Sequence, residues 1–260
     1  MTIKALTGTR APKFGTFLVE FATPGIGHIL KAAGCDFVLA DMEHSGFGID
    51  TVKTLLRALE AAALPAIVGM PGKNPDDLAR CLDIGAEAVM SPMVDGVDEA
   101  RIAAARTRYP PRGTRAVSVQ VGHDRYAPGP VLDKLRAADA RTVYFAKIET
   151  VAGLDAVEEI AALDGLDGLW IGHYDLSVSM GIPGAFDDPR FAQATARIVE
   201  AALTNRRALG RIAATPAEGL ALIEQGFDFI AYSGDAWLLQ AALADGIARM
   251  RQARIAQDRG

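Results

Sequence analysis

Three stretches of the chain end in residues that can do chemistry. The apolar run 37–41 stops at Asp41, Glu43 and His44; the run 142–148 at Lys147, Glu149 and Thr150; and the run 168–171 at Gly172, His173, Tyr174 and Asp175. A histidine flanked by carboxylates is suited to moving protons. Glu149 and Asp175, with no cysteine and only scattered histidines nearby, suit a hard divalent cation such as Mg²⁺, Mn²⁺ or Co²⁺ rather than zinc. Each stretch also has a plainer explanation. Asp41 to His44 read equally as solvated loop charges ahead of a helix that starts near Ile49, Glu149 or Thr150 as the cap of the next helix, and Asp175 as the cap of a turn.

The elements that would bring these stretches together follow from periodicity. Short β-like runs at 14–20, 37–41, 65–69, 87–91, 142–148, 168–171, 211–214 and 227–232 alternate with helix-like segments at 25–33, 49–62, 75–84, 95–107, 132–138, about 189–209 and 236–256. Asn74-Pro75 opens one helix as a cap followed by proline in the first turn, and Tyr109-Pro-Pro-Arg-Gly stops another. Eight strand–helix units are the number that closes a (β/α)8 TIM barrel, whose chemistry lies at the C-terminal ends of the strands. The competing α/β arrangement is a doubly wound sheet, for which Gly25-Ile26-Gly27 and Asp41 imitate a dinucleotide fingerprint. The imitation is incomplete, because Leu30 stands where a third glycine belongs and Pro24 interrupts the turn. Segment 116–130 is irregular and long enough to be functional or interfacial.

Composition bounds the rest. The 260 residues are half apolar and 23% charged, with no Pro/Gly/Ser-rich linker, so one catalytic domain over 1–260 is expected. A net charge of -5 with scattered basic residues argues against nucleic acid, and the small group Arg206, Arg207 and Arg211 reads as a helix-end cluster. The first ten residues lack the apolar core of a signal peptide, and no apolar run approaches a membrane span, so a cytoplasmic protein without membrane contact is expected. Cys35 and Cys81 are far apart without CxxC spacing and read as reduced thiols.

In order and spacing, Asp41-Met-Glu-His44, Leu82-Asp-Ile-Gly-Ala-Glu87, Ser91-Pro-Met-Val94, Arg108-Tyr-Pro-Pro-Arg-Gly-Thr-Arg115, Ile148-Glu-Thr150 and Asp167-Gly-Leu-Trp-Ile-Gly-His-Tyr-Asp-Leu-Ser177 resemble the HpcH/HpaI aldolases over nearly the whole chain. The resemblance implies a TIM barrel with a C-terminal helix exchanged between partners, assembled as a hexamer, a trimer of dimers. It also implies metal-dependent retro-aldol cleavage of a small hydroxy-2-oxo acid to pyruvate, or a related oxo acid, and an aldehyde. It places the metal on Glu149 and Asp175, the acid/base histidine at His44, and the aspartate that orients it at Asp83. Backbone amides of the turn Gly172, His173, Tyr174 and Asp175 would bind the substrate carboxylate.

Two positions depart from the family pattern. Gly69 stands where the family has an arginine that binds the oxo acid, and Lys147 stands where it commonly has glutamine. Lys147 is therefore expected to supply the missing charge from another strand, leaving room above Gly69 for a different substrate. Decarboxylation, or cleavage of an oxo acid that is not a pyruvate adduct, is the alternative within enzymes. A barrel that binds metal and ligand without turnover is the alternative outside them.

Overall fold

The strands β1 Lys13–Leu18, β2 Phe37–Asp41, β3 Ala66–Gly69, β4 Ala88–Ser91, β5 Val143–Ile148, β6 Gly168–Ile171, β7 Ala208–Ala213 and β8 Phe229–Gly234 close on one another in sequence order. Every pairing is parallel, including β1 with β8, so the computed structural model, which describes residues 2–257, is a single-domain (β/α)8 TIM barrel. The helices are α1 Ile3–Thr7, α2 Ile26–Ala32, α3 Ile49–Ala61, α4 Pro75–Asp83, α5 Val97–Arg106, α6 Val131–Arg141, α7 Val151–Asp155, α8 Val157–Ala162, α9 His173–Ser179, α10 Pro189–Thr204, α11 Pro216–Gln225 and α12 Asp235–Gln257. No doubly wound sheet forms. Gly27, half of the apparent fingerprint, is a packing residue: a Cβ there would lie 2.6 Å from the Ala58 carbonyl oxygen, so its absence lets α2 rest on α3.

The apolar periodicity of the helices does the expected work. Val52, Leu55, Leu56 and Leu59 form the buried stripe of α3, and the Asn74 side chain accepts the Asp76 N–H at 3.1 Å to start α4. Helix α10 stops earlier than periodicity predicts, at Thr204. Arg206 then adopts a left-handed backbone (φ 54°) that breaks the helix. Residues 208–210 are thereby released to begin β7.

Inside the barrel a second pattern operates. In register across the sheet, Gly15 faces Phe37, Gly168 faces Phe145 and Gly210 faces Trp170. Each ring folds over its glycine, because a Cβ at these positions would lie 2.8, 2.2 and 2.1 Å from the respective ring atoms. The rings then meet edge to face around Phe229, with centroids 5.1 Å from Phe37 and 5.7 Å from Phe145. Helix α1 closes the lower end by burying Ile3 and Leu6 against this cluster. The interior is thus a filled plug, with the open mouth of the barrel above it.

Among the described residues no helix is long and apolar enough to cross a membrane. Helix α12 leaves Leu239, Leu243, Ile247 and Met250 exposed. Both cysteines are free.

The glycine–ring pairs predict that Gly210→Ala, a change of one methyl group, destabilises the protein by about 1–3 kcal/mol through overpacking against Trp170. The urea midpoint should fall, with altered emission from Trp170 in the native baseline. An unchanged midpoint would mean the rings are not seated as described.

Candidate active site

The mouth of the barrel is a cavity of about 750 Å³ lined from the C-terminal ends of the strands and the first turns that follow them. Asp41, His44, Lys147, Glu149, Gly172, His173, Tyr174 and Asp175 all line it, so the three stretches do converge.

Glu149 is the most constrained of these groups. It directly follows the last residue of β5 at 1% exposure, and it is not the cap of the next helix. Thr150 takes that role, its Oγ1 accepting the Gly153 N–H at 3.0 Å. Glu149 Oε1 instead accepts the N–H of Met93 at 2.5 Å. Met93 holds a left-handed backbone (φ 50°) in the loop after β4, a strained conformation for a side-chain-bearing residue that aims this donor at the carboxylate. The other oxygen, Oε2, lies where a Cβ on Gly172 would fall, at 2.1 Å, so the slot exists only because residue 172 is glycine. Burial pushes the Glu149 carboxyl up to about 7, against the pull of Lys147 and the Met93 N–H and with the push of the Glu43 and Asp175 charges.

Lys147, two residues earlier on the same face of β5, reaches across the mouth. Its Nζ donates to Glu43 Oε2 at 2.7 Å and lies 3.5 Å from Glu149 Oε2. Burial alone would lower the lysine, but Glu149 and Glu43 outweigh it and hold the ammonium above its ordinary value. The two carboxylates thus hold the lysine as a cation across the mouth. The same Glu43 oxygen lies 3.6 Å from His44 Nε2. His44 itself sits on the rim with its side chain 60% exposed. Its backbone N–H donates to Asp41 Oδ2 at 2.6 Å, and the Ser45 hydroxyl donates to the Asp41 carbonyl at 2.6 Å, so Asp41 folds the turn that presents the histidine.

Three expected roles change. Asp83 is not beside His44: α4 descends from the mouth, so its last residue lies at the far end of the barrel. There Asp83 accepts from Arg115 at 2.6 Å. Gly69 does not line the cavity. A Cβ there would meet Asp41 Oδ1 at 3.3 Å and Met90 Cε at 3.7 Å, so the glycine accommodates the Asp41 carboxylate rather than a substrate. The Gly172 N–H is taken by the Ile148 carbonyl at 3.2 Å, which removes it from the set of substrate-binding amides. His173 is buried among Tyr174 and Phe186, with centroids at 4.5 and 5.2 Å. Burial, helped by the Arg211 charge, pushes it down to about 3, so it remains neutral. Tyr174 stands exposed on the rim.

Among the described residues no three His, Cys, Asp or Glu side chains are grouped to hold a metal ion. The pair Glu149 and Asp175 remains, one carboxylate deep and one exposed at the mouth. Two carboxylates with the remaining positions open to water are the donor set on which Mg²⁺ is commonly held, so these residues fit a hard cation.

A second cavity of about 250 Å³ at the opposite end of the barrel includes His123, Arg125 and Arg141. Segment 116–130 runs over that end, with a 3-10 turn at Gly122–Asp124.

A parallel barrel with an acidic, water-accessible mouth defines an α/β enzyme whose chemistry sits at the strand ends. The chain matches the model of the HpcH/HpaI aldolase/citrate lyase family over residues 13–242 and belongs to that family. It is 34% identical to a 5-keto-4-deoxy-D-glucarate aldolase of Enterobacter sp. (strain 638) over 85% of this chain and 86% of that protein. It is 33% identical to the protein of that name from Escherichia coli (strain K12), over 82% and 83%. Its fold superposes on the HpcH/HpaI aldolase of Desulfitobacterium hafniense DCB-2 with a TM-score of 0.90 at 26% identity, covering 96% of this chain and 97% of that one. It also superposes on a HpcH/HpaI aldolase/citrate lyase family protein of Burkholderia cenocepacia J2315 with a TM-score of 0.89 at 32% identity, covering 96% and 98%. The protein is an enzyme of the aldolase and lyase class.

Sequence reasoning found Glu149, Asp175, His44 and Lys147 but gave Asp41 and Glu43 no role beyond their place in the motif. Their adjacency to His44 was the available signal. Met93 could not have been found, because only its backbone acts.

The Gly172 slot predicts that Gly172→Ala displaces the Glu149 carboxylate while leaving the barrel folded. Calorimetric titration with Mn²⁺ should show affinity weakened about tenfold or more, as for loss of a supporting contact at a metal site. Circular dichroism should be unchanged.

Proposed function

We propose that the enzyme is a divalent-metal-dependent carbon–carbon lyase that cleaves a small 4-hydroxy-2-oxo acid to pyruvate, or a related 2-oxo acid, and an aldehyde. The observation that carries this reading is the buried Glu149 carboxylate held beside Lys147 and Asp175 at the mouth, where Lys147 also bonds Glu43 from 104 residues away along the chain. The names of the relatives, aldolases of a keto-deoxy sugar acid, support the reaction type.

Glu149 and Asp175 would hold the cation, with Mg²⁺, Mn²⁺ or Co²⁺ as the suitable ions. When bound, it supplies Lewis acidity toward the oxo and carboxylate oxygens of the substrate. Lys147 bonds Glu43, lies beside Glu149 and gives the polar side of the mouth its positive charge, where the related pattern has an arginine on β3. His44, oriented through its backbone by Asp41 and flanked by Glu43, takes the proton from the substrate hydroxyl as the carbon–carbon bond breaks. The uncapped start of α9 leaves the amides of His173 to Asp175 as carboxylate donors. Helix α12, with its row of exposed apolar residues, supports assembly through a partner copy, in keeping with a hexamer of exchanged helices.

Three outcomes follow. A chelator should abolish pyruvate release from a hydroxy-oxo acid, and Mg²⁺ or Mn²⁺ should restore it; full activity in chelator would remove the metal from the reading. His44→Ala should lower kcat by about 10²–10⁴-fold with little change in metal affinity. Because the Glu149 carboxyl titrates near 7 and a proton competes with the cation, metal affinity should fall roughly tenfold per pH unit below that value and level off above it. A flat profile from pH 5 to 8 would show that Glu149 is not the ligand.

A further inference from the structure

The cavity at the mouth has two unlike walls. Its ionisable groups come from β2, β5 and the start of α9. The contiguous arc from β7 through β8 to β1 presents Phe17, Val19, Ile212, Ala214 and, from the first turn of α12, Trp237, with the Ser233 hydroxyl as the polar side chain of that arc.

The apolar arc is a constructed surface. The Asp235 carboxylate accepts the N–H groups of Val19, Glu20 and Phe21 at 3.2, 3.1 and 2.7 Å, tying the chain after β1 to the first residue of α12. Trp237 stacks on Phe17 with centroids 6.1 Å apart and planes 30° apart. It lies over Gly234, where a Cβ would come within 2.6 Å of the indole. Trp237 is nevertheless half exposed, whereas Phe17 is buried beneath it, so a flat apolar face is held open toward the cavity.

The charge balance of the cavity points the same way. Lys147 is the one lysine or arginine among the described lining residues, and its Nζ is already engaged by Glu43 and Glu149 on the polar wall. A fragment lying against the arc and carrying its own carboxylate would leave water without a cation to meet it, which is strongly unfavourable. A fragment rich in hydroxyls would find a single hydroxyl partner there. Aromatic or aliphatic surface would instead be buried against Phe17, Val19, Ile212 and Trp237.

We infer that the aldehyde half of the substrate is apolar, an aromatic or aliphatic aldehyde seated on the β7–β8–β1 arc, rather than the polyhydroxylated or carboxylated aldehyde that a sugar acid would yield. This rests on the aldolase reading above. In cleavage the bond between C3 and C4 of the 4-hydroxy-2-oxo acid breaks and the C4 hydroxyl gives up its proton, so that C4 becomes the aldehyde carbon. The bonding pair passes to C3, which takes up a proton to complete the 2-oxo acid. No oxidant or reductant is consumed.

The test has a binding arm and a turnover arm, both on the full chain loaded with Mg²⁺. Calorimetry compares 4-phenyl-2-oxobutanoate with 2-oxoadipate, two uncleavable 2-oxo acids of which one ends in a ring and the other in a carboxylate. The ring compound should bind about tenfold or more tightly, and Ile212→Arg should narrow or reverse the difference. Equal or reversed affinities in the wild type overturn the apolar seat whether or not the protein turns over. In the second arm, pyruvate is offered with benzaldehyde, hexanal, glyceraldehyde or succinic semialdehyde, while solvent deuterium entering the pyruvate methyl group is followed by NMR without aldehyde. Higher kcat/KM for benzaldehyde and hexanal supports the inference. Preference for glyceraldehyde or succinic semialdehyde with deuterium exchange intact overturns it and leaves the aldolase reading standing. Absence of exchange removes the aldolase reading, and with it the assignment of the seat to an aldehyde.

Discussion

A carboxylate kept at 1% exposure at the top of a barrel strand is the constraint on which the rest of this site depends. Burial of an ionised group is costly unless partners surround it. Each partner of Glu149 fixes a different part of the fold: the Met93 N–H fixes the loop after β4, Lys147 ties β5 to the chain after β2 through Glu43, and the missing side chain of Gly172 fixes the turn after β6. These interactions hold four separate segments to one atom cluster. They also leave a carboxyl poised near 7, which a cation would ionise completely.

The barrel makes this possible by being solid below the mouth. Glycine on one strand admits an aromatic ring from its neighbour three times over, and the rings fill the interior beneath the ionisable layer. Water reaches the site from above, so the cavity above the plug is the one place where strand-end groups meet both each other and a ligand. The division of that cavity into a charged wall and an apolar wall follows from which strands carry it. The Asp235 carboxylate, buried at the start of α12, keeps the apolar wall in place as firmly as Glu149 organises the charged one.

Much of this was legible in the sequence. The strand positions followed from apolar runs bounded by turn residues, and convergence of His44, Lys147, Glu149 and Asp175 followed once eight strand–helix units implied a barrel. Boundaries slipped where a backbone decision overrode periodicity, as at Arg206. Asp83, at the end of a helix that runs down from the mouth, lies at the opposite face of its own barrel and so is not beside the His44 of the same chain. Gly69 was expected to make room for a substrate, but the Asp41 side chain occupies that room, and side-chain direction is not written in a one-dimensional pattern. Met93 and Asp235 escaped notice for a related reason, since one acts through its backbone and the other through the N–H groups of residues more than two hundred positions away.

If the proposed site is right, Glu149 and Asp175 together seat one divalent cation per chain. Electron paramagnetic resonance of Mn²⁺ titrated into the metal-stripped protein tests it most directly, because free and bound Mn²⁺ are counted separately and no substrate is required. The wild type should bind one Mn²⁺ per chain, and binding should be lost or greatly weakened in both Glu149→Gln and Asp175→Asn while the fold is retained. Undiminished Mn²⁺ binding in either variant, or none in the wild type, would contradict it.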